Sequence, residues 1–178
     1  MFRSQLALGN ILKNNGKMPQ ASNMWKIRYN CGLEEAAIQY ASTCPVESSD
    51  PSSRRGVEEN FRTFPARRFK TFEEAAKKSV TEWWKVIRSS GYFTDKSVVF
   101  RPFHKQEPIS SFTRVAWAAT KNVGCSIVKC TTDDRYVSVC RYTPSGNIVG
   151  ESIYKIGPYC SSNPGTTQSC DKNTGLWP

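Results

Sequence analysis

Phe112-Thr113-Arg114-Val115-Ala116-Trp117-Ala118-Ala119-Thr120, followed closely by Val123-Gly124-Cys125, is the stretch that decides the fold. Its first half reads as a short helix with Val115, Trp117 and Ala118 on the apolar side. It runs into a strand, Cys125-Ser126-Ile127-Val128-Lys129-Cys130. The polar run Thr131-Thr132-Asp133-Asp134 turns the chain. A second strand, Tyr136 to Tyr142, returns and stops at Pro144-Ser145-Gly146-Asn147, residue types that favour a turn. Three cysteines in so small a unit point to covalent stapling.

Upstream of this unit, Phe2 to about Lys13 reads as a helix closed by Asn14-Asn15-Gly16. Lys17 to Tyr29 is an extended link with Pro19. A second helix is expected over Leu33 to Ala41. Leu33, Ala37, Tyr40 and Cys44 fall on one face, and Glu34-Glu35 sit in the first turn, where the helix dipole favours carboxylates. Pro45 to Gly56 is a polar surface loop. Glu59-Asn60-Phe61 leads into a short strand near Arg62 to Phe64. The third helix has Thr71 as N-cap, Glu74 to complete a capping box, and an apolar stripe of Phe72, Ala76, Val80, Trp83 and Ile87. Ser89-Ser90-Gly91 closes it. Tyr92 to Pro108 is irregular or strand-forming and carries the single histidine, His104. From Pro158 the tail is rich in Ser, Asn, Thr, Pro and Gly. Cys160 and Cys170 there point to a disulfide standing in for a core.

A length of 178 residues suits one domain with a real core. The net charge of +10 favours anionic partners such as glycosaminoglycan, acidic protein, lipid headgroups or nucleic acid, without choosing among them. Seven cysteines point to an oxidising compartment. No apolar run approaches the roughly 20 residues that span a bilayer. Phe2-Arg3-Ser4 after Met1 offers no secretory signal core, so if the protein is secreted the chain is expected to be a mature or truncated form. It carries no Asn-x-Ser/Thr sequon.

Two blocks carry a specific resemblance. Ser111-Phe112-Thr113-Arg114-Val115-Ala116-Trp117 to Gly124-Cys125, and Val139-Cys140-Arg141-Tyr142-Thr143-Pro144-Ser145-Gly146-Asn147, are similar to the two signatures of the CAP superfamily (SCP/TAPS). Ala21-Ser22-Asn23-Met24 before Tyr29-Asn30-Cys31, and Gly150-Glu151-Ser152-Ile153-Tyr154 before the Cys-containing tail, fit as well. The tail resembles that of nematode activation-associated secreted, or venom-allergen-like, proteins. The resemblance implies an α+β fold, a three-layer α–β–α sandwich with a short disulfide-bonded C-terminal tail. Residues 1–156 would form the CAP domain and 157–178 a Cys-containing extension. Periodicity alone gives only mixed α+β with a disulfide-bonded tail. The resemblance also implies the pairs Cys44–Cys130, Cys125–Cys140 and Cys160–Cys170, with Trp177 at a position that is often Cys. Cys31 is left over. Either a partner lies upstream of Met1, or Cys31 is a buried free thiol.

The family's cleft holds a tetrad of two His and two Glu, often able to bind a divalent metal. Carried over position by position, the first His falls at Ser48 and the first Glu at Glu59, within Glu58-Glu59-Asn60 where the family has Gly-Glu-Asn. The second Glu falls at Val86 and the second His at Ser111; the Gln after Phe-Thr is Arg114. Only Glu59 survives. Hydroxyls are weak ligands for Zn²⁺, and Arg114, if turned inward, would repel a cation or neutralise Glu59. No metal and no cofactor are expected in this cleft. His104 is expected to be solvated or structural. Ser48 and Ser111 lack an oxyanion-hole signature and are expected to fill polar space.

Arg67, Arg68 and Lys70, in Ala66-Arg67-Arg68-Phe69-Lys70-Thr71, match a spacing that presents cations to a sulfated polysaccharide; the alternative is a solvated surface. No nucleic-acid-binding signature accompanies them. The expectation is a secreted, extracellular, non-enzymatic protein, monomer or weak homodimer. Its partners would be host or extracellular proteins or glycans, as in host–parasite interaction or immune modulation. The alternative is a sterol or fatty-acid carrier with an apolar groove. A metal-dependent hydrolase is disfavoured by the lost tetrad.

Overall fold

The computed structural model describes residues 1–89 and 92–178. A four-stranded sheet runs through the centre. Strands β3 (Arg28–Tyr29), β4 (Glu58–Pro65), β5 (Asn122–Cys130) and β6 (Arg135–Thr143) stand in the order β3-β5-β6-β4, with only the β3–β5 pair parallel. A separate hairpin is made by β1 (Leu12–Lys13) and β2 (Gly16–Lys17).

Strand β6 shows how the layers are set, because its side chains alternate between faces. Val137 and Val139 pack with Ala37 and Ala41 of helix α2 (Cys31–Ala41). Cys140 and Tyr142 point the other way and join the large core, together with residues of α1 (Phe2–Ala7), α3 (Phe72–Lys85) and α4 (Ile109–Ala116). Helices therefore cover both faces. Close approach of α2 to β5 requires Gly124, where an added Cβ would lie 2.2 Å from the backbone nitrogen of Glu34.

Several helix boundaries differ from the sequence reading, each for a local reason. Helix α1 stops at Ala7, well short of Lys13. Gly9 takes φ +74°, its N–H bonds Leu6 O, and Asn10 N–H bonds Gln5 O. This left-handed cap ends the helix, and Asn14-Asn15 become the turn of the β1–β2 hairpin. Helix α2 begins two residues before Leu33 because Asn30 Oδ1 accepts the Leu33 N–H at 2.9 Å. On α3, Thr71 Oγ1 accepts the Glu74 N–H, but the Glu74 carboxylate returns to Lys70 N–H rather than to Thr71. The buried stripe is Ala75, Ser79, Trp83 and Trp84. It is rotated from the expected one, leaving Phe72 51 % exposed, edge-on to Tyr136 at the rim. Ser90 and Gly91, expected to close α3, lie outside the described residues. Strand β4 is eight residues, longer than expected, and pairs with β6 along its whole length. Helix α4 begins at Ile109 and ends at Ala116, so Trp117 is not helical. Its indole lies on Gly146, where a Cβ would come within 2.5 Å.

Cys44–Cys130 ties the end of α2 to β5, Cys125–Cys140 joins directly paired residues of β5 and β6, and Cys160–Cys170 closes the tail. Cys31 is free and exposed, so the buried-thiol reading falls. The tail has little regular structure but ends in the core: Leu176 joins the large cluster, and Trp177 donates from its indole to Ser22 O at 3.1 Å.

Candidate functional site: a polar cleft at the edge strand

Strand β4 is the sheet edge beside α3, α4 and the loop after α2, and a polar cleft of about 440 Å³ opens there. Ser48, Glu59, Val86, Ser111 and Arg114 all line it. The sequence thus located five wall residues from four separate segments.

The chemistry at those positions is largely used up internally. Glu59 is 2 % exposed and paired across the ladder with Arg141. Its carboxylate accepts from Ser49 N–H at 2.8 Å, Ser49 Oγ at 2.9 Å and Arg141 Nε at 3.0 Å. Arg54 Nε donates in turn to Ser49 Oγ at 3.0 Å. Arg114 does turn inward, but it does not neutralise Glu59. Its Nε bonds Glu58 at 2.7 Å and its Nη1 bonds Asn60 Oδ1 at 3.2 Å. The reason is register: Glu58 and Asn60 share the β4 face toward α4, whereas Glu59 points to the opposite face with Arg141. Ser111 Oγ lies 2.8 Å from Pro108 O and 3.2 Å from Trp83 O, so its proton is directed into the helix start. Ser48 is exposed at the mouth.

Sequence reasoning missed Ser49, Arg141 and Arg54, which hold Glu59. The Ser-Ser pair at 48–49 was visible, but nothing in it says which serine turns in. His104 is not in the cleft wall. It is 1 % exposed, surrounded by Phe93, Phe100 and Phe103 with ring centroids 4.3–5.4 Å away. Its Nδ1 accepts the Arg101 N–H at 2.9 Å, while its Nε2 is buried without a partner among the described residues. Burial, with Arg101 adding to it, lowers its pKa below the ordinary imidazole value, and Glu107 opposes them. Arg67, Arg68 and Lys70 are exposed, on and just beyond the 3-10 turn Ala66–Arg68 after β4, and none forms an ion pair among the described residues. Among these residues no group of three or more His, Cys, Asp and Glu is gathered.

A second cavity, of about 380 Å³, lies between α1, α3, α4 and the sheet. Its wall includes Phe2, Ile27, Val80, Val115, Val123 and Leu176. Arg3 also borders it. That guanidinium is 4 % exposed and donates to the carbonyls of Trp25, Val115, Trp117 and Ala118 at 2.7–3.1 Å. Burial pulls its pKa down to about 9, so it remains charged at neutral pH.

A family model described as CAP, cysteine-rich secretory protein family, matches residues 2–142, and the chain belongs to that family. The Ancylostoma secreted protein of Ancylostoma caninum is 32 % identical over 180 residues, covering 98 % of this chain and 41 % of that protein. The chain therefore spans less than half the length of that relative. The crystal structure of NaASP2 with Zn²⁺ is similar at TM-score 0.86 and 27 % identity, covering 98 % of this chain and 88 % of that one. BmVAL-1 is similar at TM-score 0.86 and 28 % identity, with coverages of 98 % and 87 %. The helix-covered sheet matches the CAP structures, and disulfides are present, including the Cys160–Cys170 pair of the tail. No helix of the described residues is long and apolar enough to cross a membrane, and the disulfides accord with the secreted relatives.

Proposed function

We propose that this chain is a secreted, non-enzymatic CAP domain that works by binding an extracellular or host molecule. The observation that carries this reading is the state of Glu59. Both its oxygens are held by Ser49 and Arg141, leaving no carboxylate poised as base or metal ligand at the cleft positions. Ser111 has no base beside its hydroxyl. NaASP2 was crystallised with Zn²⁺. Here Ser48, Val86 and Ser111 supply no imidazole and no second carboxylate, so the cleft residues do not fit a divalent cation. The test has two arms. Immobilised protein is exposed to host plasma and cell-surface extract, and specific retention of a partner is expected. Ester, peptide and phosphoester substrates are also assayed with and without Zn²⁺; turnover abolished by Glu59→Gln would overturn the reading.

A second reading, lipid carriage, is favoured by the apolar cavity. Its walls suit an acyl chain or sterol, and Arg3 with the exposed Lys26 sets positive charge at its border. Organic extraction followed by mass spectrometry is expected to recover a stoichiometric lipid. Val115→Trp, which fills the cavity, is expected to reduce it; lipid recovered equally from the variant would exclude this site.

A further inference from the structure

The charges around the polar cleft do not cancel. Arg54, Arg62, Lys105 and Arg114 line it against only two carboxylates, Glu47 and Glu59. Glu59 is turned into its bonds with Ser49 and Arg141, and Arg54 is spent on Ser49 and the Val57 carbonyl. Arg62 is held only loosely, 3.7 Å from Glu82, a carboxylate that also serves Lys78 at 2.6 Å.

Two cationic donors remain without a protein acceptor. Arg114 uses Nε on Glu58 and Nη1 on Asn60 and Ser110, and no acceptor is within hydrogen-bonding distance of its Nη2 among the described residues. Lys105, exposed at the end of the 3-10 turn Pro102–Lys105, forms no ion pair among them either. Arg114 is the better built of the two. Its side chain is 20 % exposed and fixed by Glu58, so its free amine is held in place before any ligand arrives. A fixed guanidinium edge, a mobile ammonium and the exposed Ser48 hydroxyl match the needs of a tetrahedral oxyanion.

We propose that this cleft is an oxyanion site, taking a sulfate or phosphate group of the ligand on Arg114 and Lys105. This deepens the binding-module reading and rests on it. It inverts the cleft's electrostatics: the same cavity that would need carboxylates and imidazoles for a cation presents the Lys105 ammonium and the free Nη2 edge of Arg114, whose Nε is paired with Glu58. The cleft is distinct from the exposed cluster Arg67, Arg68 and Lys70, which is not among the cleft's lining residues.

The test is calorimetric titration of the whole chain at low salt with inorganic sulfate, inorganic phosphate and a sulfated disaccharide. One anion per chain is expected. Sulfated disaccharide binding well above both inorganic ions would assign the group to a glycan; inorganic phosphate binding best would assign it to a phosphate source. Lys105→Ala is expected to weaken binding about threefold and Arg114→Gln about tenfold, each with a shallower salt dependence. The Lys105 ammonium has no ion-pair partner to disturb among the described residues, so its variant stays informative even if Arg114→Gln perturbs Glu58. The triple change of Arg67, Arg68 and Lys70 to Ala is expected to leave one-site binding unchanged. Equal loss in the triple variant, or no loss with Lys105→Ala and Arg114→Gln, would overturn the proposal. If those two variants still retain a plasma partner while sulfate and phosphate fail to bind the parent protein, the oxyanion site falls and the binding module stands.

Discussion

Asn60 and Tyr142 are hydrogen-bonded at 3.3 Å, yet Asn60 lines the polar cleft and Tyr142 the apolar cavity. The partition continues along the helices: Arg114 faces the cleft and Val115 the cavity, Trp83 the cleft and Val80 the cavity. Each space also has an arginine nearby, Arg3 buried and Arg141 half-buried, satisfied in a different way. Beside the cavity, Arg3 rests on main-chain carbonyls alone. Behind the cleft, Arg141 rests on the Glu59 carboxylate. The difference separates two uses of an arginine. Arg3 organises backbone by donating to carbonyls at the end of α4 and after it: among the described residues it alone serves those of Trp25 and Val115, while those of Trp117 and Ala118 also accept main-chain N–H groups. Arg141 closes a charge pair inside the wall of a site, removing a carboxylate from the chemistry available there.

The largest effect is expected at Arg3. Arg3→Met would leave the Trp25 and Val115 carbonyls without a donor in a dry region, each at about 1–3 kcal/mol, and would strip a charged donor from the Trp117 and Ala118 carbonyls, which keep the N–H groups of Thr120 and Trp25. A loss of about 4 kcal/mol or more in unfolding free energy is expected by denaturant titration. Arg3→Lys keeps the charge but not the fork and is expected to fall between. If Met and Lys variants lose equally little, Arg3 does not organise the α4 end, and the contrast with Arg141 dissolves.

Next in size is the Glu59–Arg141 pair. Removing either partner from a buried pair costs about 3–5 kcal/mol. Glu59→Ala is expected at the low end, because Arg141 is 13 % exposed and can still reach water. The double variant with Arg141→Met is expected to recover part of the loss. Strict additivity would show that the two residues are uncoupled and that Ser49 alone holds Glu59.

The contrast between the two spaces also explains what the sequence could disclose. The polar cleft was legible only through the CAP resemblance: its motif positions, placed relative to Cys44, Glu59-Asn60, the Trp83-Trp84 pair and Phe112-Thr113, pointed to Ser48, Glu59, Val86 and Ser111, which line one cavity. Its wiring was not legible. Which serine turns inward, and whether Arg114 meets Glu58 or Glu59, depends on strand parity and register, which the motif does not encode. The apolar cavity was illegible altogether. Its walls come from residues 1–4, 26, 27, 80, 115, 123, 125, 140, 142, 174 and 176, which lie far apart in sequence and meet only in three dimensions. The expected stripe on α3 held only in part: Trp83 and Ile87 are buried and Val80 packs against the core, but Phe72 is exposed. Ala75 and Ser79, small residues with little hydrophobic signal, are fully buried, while Phe72 packs on the rim.

A smaller effect is expected from acid. His104 flanks Lys105 at the cleft mouth and is buried neutral, with Nε2 unpartnered and its pKa lowered. The unfolded chain takes up a proton near pH 6.5 and the folded chain only at lower pH. The stabilisation by neutral His104 is therefore complete above pH 6.5 and is lost as pH falls through the folded value. Unfolding free energies measured from pH 7.5 down to 5 should fall more for the parent than for His104→Gln, which keeps an acceptor for Arg101 N–H but cannot titrate. Identical curves would place the acid sensitivity elsewhere.

The smallest effect expected is that of zinc, and it bears most directly on the cleft. A ligand that binds only the native state raises stability by about RT ln(1 + [L]/Kd), roughly 2.7 kcal/mol at a hundredfold excess over Kd. Zinc at tens of micromolar should leave the melting temperature of this protein nearly unchanged. Glu59 would have to release Ser49 and Arg141 to ligate it, and Arg114 sets a positive charge in the same wall. Ser48→His, Ser111→His and Val86→Glu together supply two imidazoles and a carboxylate on three segments that already face one cavity. A zinc-dependent rise in melting temperature is then expected, and adding Arg114→Gln should enlarge it by removing the repelling charge. Zinc stabilisation of the parent that vanishes with Glu59→Gln would mean that the Ser49–Arg141 clasp opens for a cation. The cleft would then be a metal site with an unusual donor set. Stabilisation that survives Glu59→Gln but vanishes with His104→Ala would place the metal outside it.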